Sequence, residues 1–332
     1  MPTETQVIAL FGPTGVGKTA VAVALARLLR TRGERPVAVS ADALQVYRGL
    51  ETLTGVASEA EQGELEHRLI SFLPLDASFS TGQYAELAHA EIDGILAEGR
   101  RPIVVGGTGL YLRAALTELS LRPPPAEGVR EHWIAELELH GASALHARLA
   151  HRAPWAAEAI DPNDRQRVVR ALELLDAGEL PHAGTPPGAH PEGHRQAGEQ
   201  PDGPSELWTA DVRRPTLLIG LVMERDALYA RIDARVDEML AAGVREEVLR
   251  AHAQGASVTA RKALGFEELL SNDVDAMKRR TRNYARRQLT WMRKLAGVHL
   301  VDLTDRAPKD VAEEIASAAG ALDRSRSDRP SA

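Results

Sequence analysis

The chain contains no cysteine, which excludes disulfides, thiolate zinc sites and cysteine nucleophiles and fits a reducing cytoplasm. It also lacks any apolar run near the ~20 residues that cross a bilayer, so no membrane partner is expected. The N-terminus passes from polar residues directly into a strand pattern, with neither a charged lead-in nor a cleavable apolar segment. No internal repeat is visible. What remains is ordinary globular material: 332 residues, 44% hydrophobic and 26% charged, enough for two compact units. The net charge of -7 argues against a surface that coats nucleic acid throughout, while leaving room for one local basic groove.

The run Gly12-Pro13-Thr14-Gly15-Val16-Gly17-Lys18-Thr19 stands between an apolar strand pattern, Val7 to Leu10, and a helix-forming stretch, Ala20 to Ala26. Gly12 and Gly17 let successive N–H groups converge on phosphate oxygens, and the helix N-terminus adds partial positive charge. Lys18 supplies a mobile cation. Thr19 offers a hydroxyl to a magnesium ion that also touches the phosphate. The segment therefore predicts a grip on a diphosphate or triphosphate, ATP included. A glycine-rich turn that merely joins strand to helix would have to match Gly, Gly, Lys and Thr at the required offsets by accident.

Strand patterns at Val37 to Val39, Ile103 to Val105, Leu217 to Val222 and His299 to Leu303 alternate with helical periodicity, which predicts an α/β fold with a parallel sheet and flanking helices. After Leu121 the run Pro123-Pro124-Pro125 breaks the alternation, and only helical pattern follows up to about Ala177. Residues 119–206 thus read as an inserted all-helical domain whose end, 181–206, is rich in Pro, Gly and His and is expected to be a flexible loop. The sheet-bearing core is expected over 1–118 and 207–322, with 323–332 a disordered polar tail.

The strand at 103–105 runs into Gly106-Gly107-Thr108-Gly109-Leu110-Tyr111, and not into the Asp with which a nucleotide-hydrolysing motor holds magnesium. Its glycines either admit a ligand to the backbone or let a helix pack closely, and Thr108 offers a hydroxyl at the carboxyl edge of the sheet. The strand at 37–39 leads to Asp42, a carboxylate that can bind magnesium, act as general base or cap a helix. Gln45 adds an amide able to read a base edge. Within Asp161 to Glu173, Arg167 and Arg170 share a helix face that suits RNA or plain solvent. From Lys278 to Lys294 no acidic residue interrupts a helix with Thr281, Ala285, Leu289 and Met292 on one stripe and Arg279, Arg282, Arg286 and Arg293 on another. Such a field suggests a phosphate backbone met at one place, against the alternative of a solvated surface helix. Tyr284 and Trp291 are stacking platforms or core.

In this order and spacing, the phosphate loop, Ser40-Ala41-Asp42, Gly106 to Tyr111, Asn163-Asp164-Arg165-Gln166-Arg167, Arg225 and Arg286-Arg287-Gln288-Leu289-Thr290-Trp291 resemble the tRNA dimethylallyltransferases over nearly the whole chain. The resemblance implies a P-loop NTPase-like core and a helical insertion that grips the tRNA anticodon stem-loop; the chain is expected to be a monomer. It also implies the reaction: transfer of a dimethylallyl group from dimethylallyl diphosphate to N6 of the adenosine just 3′ of the anticodon. Gly12 through Thr19 would then hold the diphosphate, with magnesium at Thr19. Lys18, Thr108 and Arg225 would join Asp42 in catalysis, Arg225 in preference to Arg231 as the further cation on the departing pyrophosphate. Asp42 would accept the amine proton once the forming C–N bond makes it acidic. By the same resemblance Asp42, Ala43, Leu44, Gln45, Thr108, Arg130, Gln166, Arg167, Val168, Val169 and Arg170 contact the RNA, and the basic helix adds Arg282 and Arg286.

The chain departs from the family pattern twice. Asp-Ser-Met-Gln is Asp42-Ala43-Leu44-Gln45 here, and Gly-Thr-Ala-Lys-Pro gives way to Thr52-Leu53-Thr54-Gly55-Val56, without its lysine. The rival readings are an isopentenyltransferase acting on free adenine nucleotide, which needs little of the arginine helix or the insertion, and a small-molecule P-loop kinase, which predicts phosphoryl transfer from ATP.

Overall fold

Strand β1, Val7–Phe11, is five apolar residues with no exposed side chain, a pattern that only a sheet covered on both faces accommodates. The computed structural model describes residues 7–119, 125–180, 212–293, 295 and 297–327. In chain order, α1 (Lys18–Thr31), β2 (Pro36–Ala41), α2 (Glu51–Thr54), α3 (Glu59–Glu64), β3 (His67–Arg68), α4 (Thr81–Ala97), β4 (Arg101–Gly106) and α5 (Gly109–Leu116) follow β1. Then come α6 (Val129–Arg152), α7 (Pro154–Glu158), α8 (Arg165–Asp176), β5 (Thr216–Val222), α9 (Arg225–Ala241), α10 (Val244–Ala253), α11 (Phe266–Leu270), α12 (Val274–Met292), β6 (His299–Asp302) and α13 (Pro308–Ser327). The chain divides into two units, Met1–Leu119 with Pro204–Ala332, and Ser120–Gly203.

In the first unit the described strands form one parallel sheet in the order β3-β2-β4-β1-β5-β6. Alternation along β1 feeds two cores. Ile8 and Leu10 pack with Val21 and Leu25 of α1, Ile232 of α9 and Ile315 of α13, while Val7, Ala9 and Phe11 pack with Tyr84 and Ile92 of α4 and Leu112 of α5. Register fixes what happens at the carboxyl edge. Phe11 and Ala41 are both level with Gly106, so β1, β2 and β4 end side by side, and Gly12, Asp42 and Gly107 leave the sheet at one height.

In the second unit α6, α7 and α8 enclose their own core, built on Trp133, Leu145, Leu149, Val168 and Leu172. Helix α6 kinks at Gly141, whose φ of 80° interrupts the helical backbone.

In secondary structure, the sequence expectations differ from the structure at β3 and at the tail. Strand β3 is only two residues long, too short for a periodic signal, and was not anticipated. The polar tail expected to be disordered from 323 is helical as far as Ser327, because no Gly or Pro interrupts the chain there and each added residue extends an existing helix at little cost. Residues 328–332, Pro123-Pro124 and the expected flexible loop, 181–206, lie outside the described residues.

Candidate active site

The phosphate loop joins β1 to α1, whose N-cap, Gly17, has φ 101° in the left-handed region. Val16 is buried in the core and anchors the loop from beneath. The Lys18 ammonium turns back onto the loop, donating to Gly12 O at 2.9 Å and Pro13 O at 3.0 Å. Burial lowers its pKa to about 8, helped by Arg235 and opposed by Asp42. Thr19, in the first turn of α1, is part-buried.

Asp42 follows the end of β2. No helix starts there, so the helix-capping alternative falls away; instead Oδ1 accepts from Leu44 N at 2.9 Å in a local turn. The charge of Asp42 is felt by Lys18 and Arg235 and by the phenols of Tyr84, Tyr111 and Tyr284. Burial first, then that charge, raises the Tyr284 phenol. Tyr284 in turn lies 3.0 Å from Thr108 Oγ1. Gln45 does not present its amide outward as a base reader: Oε1 accepts from Ser40 Oγ at 2.7 Å, and Nε2 donates to Gly55 O at 3.0 Å and Thr54 O at 3.3 Å.

The inward face of α12 carries an organiser that periodicity did not single out. Gln288, buried, accepts from Thr14 N at 2.9 Å and donates to Gly107 O at 2.6 Å, tying the phosphate loop to the turn before Thr108. A methyl group at Gly107 would lie 2.4 Å from Gln288 Nε2, and one at Gly109 would lie 2.2 Å from the Trp291 ring. These two glycines therefore make room for α12, the second of the two roles the sequence left open. Trp291 meets Phe11 edge-on at 5.4 Å between ring centroids and is core, not a stacking platform.

The cations differ from expectation. Arg225 is 73% exposed and pairs with its neighbour Asp226 at 3.0 Å; no described polar contact joins it to the loop. Arg231 instead brings Nη2 to within 3.1 Å of where a Gly17 side chain would begin. Arg235, one turn further along α9, has its guanidinium over Gly55, where even a methyl group would overlap it at 1.6 Å. Burial, the larger effect, lowers the Arg235 pKa against the pull of Glu61 and Asp42. The physical reason is helical phase: Arg231 and Arg235 are four apart on one face, and Arg225 lies about 240° around the helix from Arg231.

The RNA candidates also sort differently. Arg282 holds Asp233 of α9 at 2.5 and 2.6 Å, Lys278 holds Asp237 at 2.6 Å, and Arg280 pairs with Glu268, so the basic run is partly neutralised from outside its own segment. Arg286 is exposed and makes no ion pair among the described residues. In the second unit Gln166 and Arg167 are exposed, while Val168 and Val169, at 0% and 6% exposure, are core side chains that cannot reach an RNA. Arg130 and Arg170 both contact Glu173. Ala43 and Leu44 are part-buried against the cores of the first unit.

Among the described residues no three His, Asp or Glu gather as a metal cage, and no helix is long and apolar enough to cross a membrane. One hydroxyl at Thr19 plus phosphate oxygens is the sparse all-oxygen donor set that magnesium favours when it arrives with its substrate.

Comparison with known proteins identifies the family and the fold. Residues 45–295 match the family model described as IPP transferase. The tRNA dimethylallyltransferase of Symbiobacterium thermophilum is 37% identical over 94% of this chain and 93% of its own, and that of Bacillus subtilis is 36% identical over 91% and 92%. The full-length tRNA isopentenylpyrophosphate transferase of Bacillus halodurans superposes with a TM-score of 0.65 at 33% identity, covering 96% of this chain and 97% of that one. A eukaryotic dimethylallyltransferase acting on tRNA shares the fold, with a TM-score of 0.71 at 24% identity over 98% of this chain and 80% of that one. The chain therefore belongs to the IPP transferase family, the tRNA dimethylallyltransferases.

Proposed function

We propose that this chain, acting in the cytoplasm, transfers a dimethylallyl group from dimethylallyl diphosphate to N6 of the adenosine 3′ of the anticodon in tRNA, releasing diphosphate. The observation that carries the reading is the shared height at which β1, β2 and β4 end, with Lys18, Asp42 and the Thr108 turn around one edge. The substrate's diphosphate would lie in the loop from Gly12 to Thr19, with Lys18, Arg231 and Arg235 as the cations that meet the charge of the leaving group. We assign the leaving-group role to Arg231 and Arg235 because they, unlike Arg225, lie against the loop or beside Lys18. Arg235, over Gly55, would also answer for the lysine absent from Thr52 to Val56.

A magnesium ion held by Thr19 and the diphosphate would supply further charge neutralisation. Asp42 keeps Oδ2 outside its turn hydrogen bond, and that oxygen would take the proton from the alkylated amine. Thr108, oriented by Tyr284, would hold the acceptor base. The exposed Arg286, with Arg130, Gln166, Arg167 and Arg170 of the helical unit, would meet the RNA backbone.

The test is a transfer assay with protein, magnesium, labelled dimethylallyl diphosphate and unmodified tRNA bearing adjacent adenosines. Label should appear in tRNA. Label that stays in the small molecule, or moves equally well to AMP, rejects the assignment.

A further inference from the structure

Glu173 of α8 has a side chain with 0% exposure, and two guanidiniums from two helices converge on it. Arg130 of α6 uses Nε on Oε1 at 2.7 Å and Nη2 on Oε2 at 3.0 Å, while Arg170 uses Nη1 on Oε2 at 3.0 Å. Burial works to raise the carboxyl, and Arg130 and Arg170 outweigh it, so Glu173 stays below the usual carboxylate range and is ionised. Arg130 is 51% exposed and Arg170 is 29% exposed. The next acid, Asp176, is engaged elsewhere, accepting from Trp133 Nε1 and from Arg152 at 2.7 Å each.

A buried carboxylate is a weak means of stability, since an apolar side chain of similar size packs as well. What it supplies is geometry. A guanidinium held through both Nε and Nη2 keeps one plane, and its Nη1 edge keeps one direction. We propose that Glu173 is a positioning residue for tRNA, fixing the plane of Arg130 through two contacts and tethering Arg170 through one, in the spread that meets backbone phosphates. This rests on the reading that these two arginines contact RNA.

The two ideas about Glu173 predict opposite signs. If only net charge matters, Glu173→Gln removes a negative charge beneath an RNA-binding face and tightens binding. If Glu173 positions the arginines, E173Q raises the KM for tRNA by ~tenfold, the loss of about one well-placed charge-assisted contact, and lowers the salt slope of tRNA binding by about one. The rate at saturating tRNA should fall far less than kcat/KM. The double variant R130A R170A serves as the reference. If it leaves the tRNA KM unchanged, the contact reading itself fails. If it raises KM while E173Q leaves it unchanged or lowers it, the contacts stand and the positioning role is overturned.

A second measurement needs no substitution. In the wild-type chain the Arg130 Nε–H should give a resolved, slowly exchanging NMR signal that persists when tRNA is added. Its collapse to the signal of an unpaired arginine on tRNA addition would mean that Glu173 releases Arg130 in the complex, and would overturn the inference.

Discussion

The Arg235 guanidinium lies close enough to Lys18 to help hold that ammonium down to about 8, second only to burial, while Asp42 pulls the other way. In the unfolded chain the same lysine keeps its proton up to 10.5. Between those values the unfolded state binds more protons, so this group's contribution to stability rises with pH. A bound diphosphate reverses the balance by favouring the charged lysine. Binding of magnesium pyrophosphate at about pH 8.5 should therefore take up a large fraction of a proton. Calorimetry in buffers of different ionisation enthalpy reads this directly, and Arg235→Ala should shrink the uptake. Equal heats in all buffers would contradict it.

Asp42→Asn retains an oxygen for the Leu44 N–H but loses the base. Turnover should drop by about 10²–10⁴, with tRNA affinity changed only a few-fold. Single-turnover rates and filter binding separate the two, and an equal loss of binding would reassign Asp42 to recognition.

Gln288→Ala strands the Thr14 N–H and the Gly107 carbonyl. Each group left without a partner costs about 1–3 kcal/mol, so a lower denaturation midpoint and weaker diphosphate binding should appear together. Gln288→Glu retains an acceptor for Thr14 but sets a carboxylate oxygen against Gly107 O and adds charge beside the diphosphate. It should weaken diphosphate binding more than Q288A does.

Arg286→Ala should weaken tRNA binding and reduce its salt slope by about one, without changing stability. Arg282→Ala should show the inverse pattern, because its partner Asp233 binds α12 to α9. Salt titrations and urea unfolding on the two single variants distinguish them.

How much of this was visible in the sequence follows from range. Strands β1 and β5 were legible because strands buried on both faces read as continuous apolar runs, and the phosphate loop because its constraints are all local. Asp42 and Thr108 were legible because each follows a strand directly. The bracing role of Gln288, a residue named only as part of the Arg286 to Trp291 motif, was not, since a polar residue on a buried face has no periodic signal and its partners are 274 and 181 positions away. The basic helix was misjudged for a similar reason: its own segment has no acids, but Asp233, Asp237 and Glu268 reach it from other helices. Arg225 was favoured by resemblance to similar enzymes, and only the folded phase of α9 reveals that Arg231 lies beside Gly17 and Arg235 over Gly55.

The bond between Thr14 and Gln288 also sets a schedule for biosynthesis. The brace is translated 274 residues after Thr14, a delay of roughly 14–55 s at elongation rates of about 5–20 residues per second. A nascent chain that carries the loop has no clamp on Thr14 until α12 emerges. Stalled chains ending before residue 288 should therefore be poor pyrophosphate binders, and the emergence of α12 decides when the loop from Gly12 to Thr19 becomes functional.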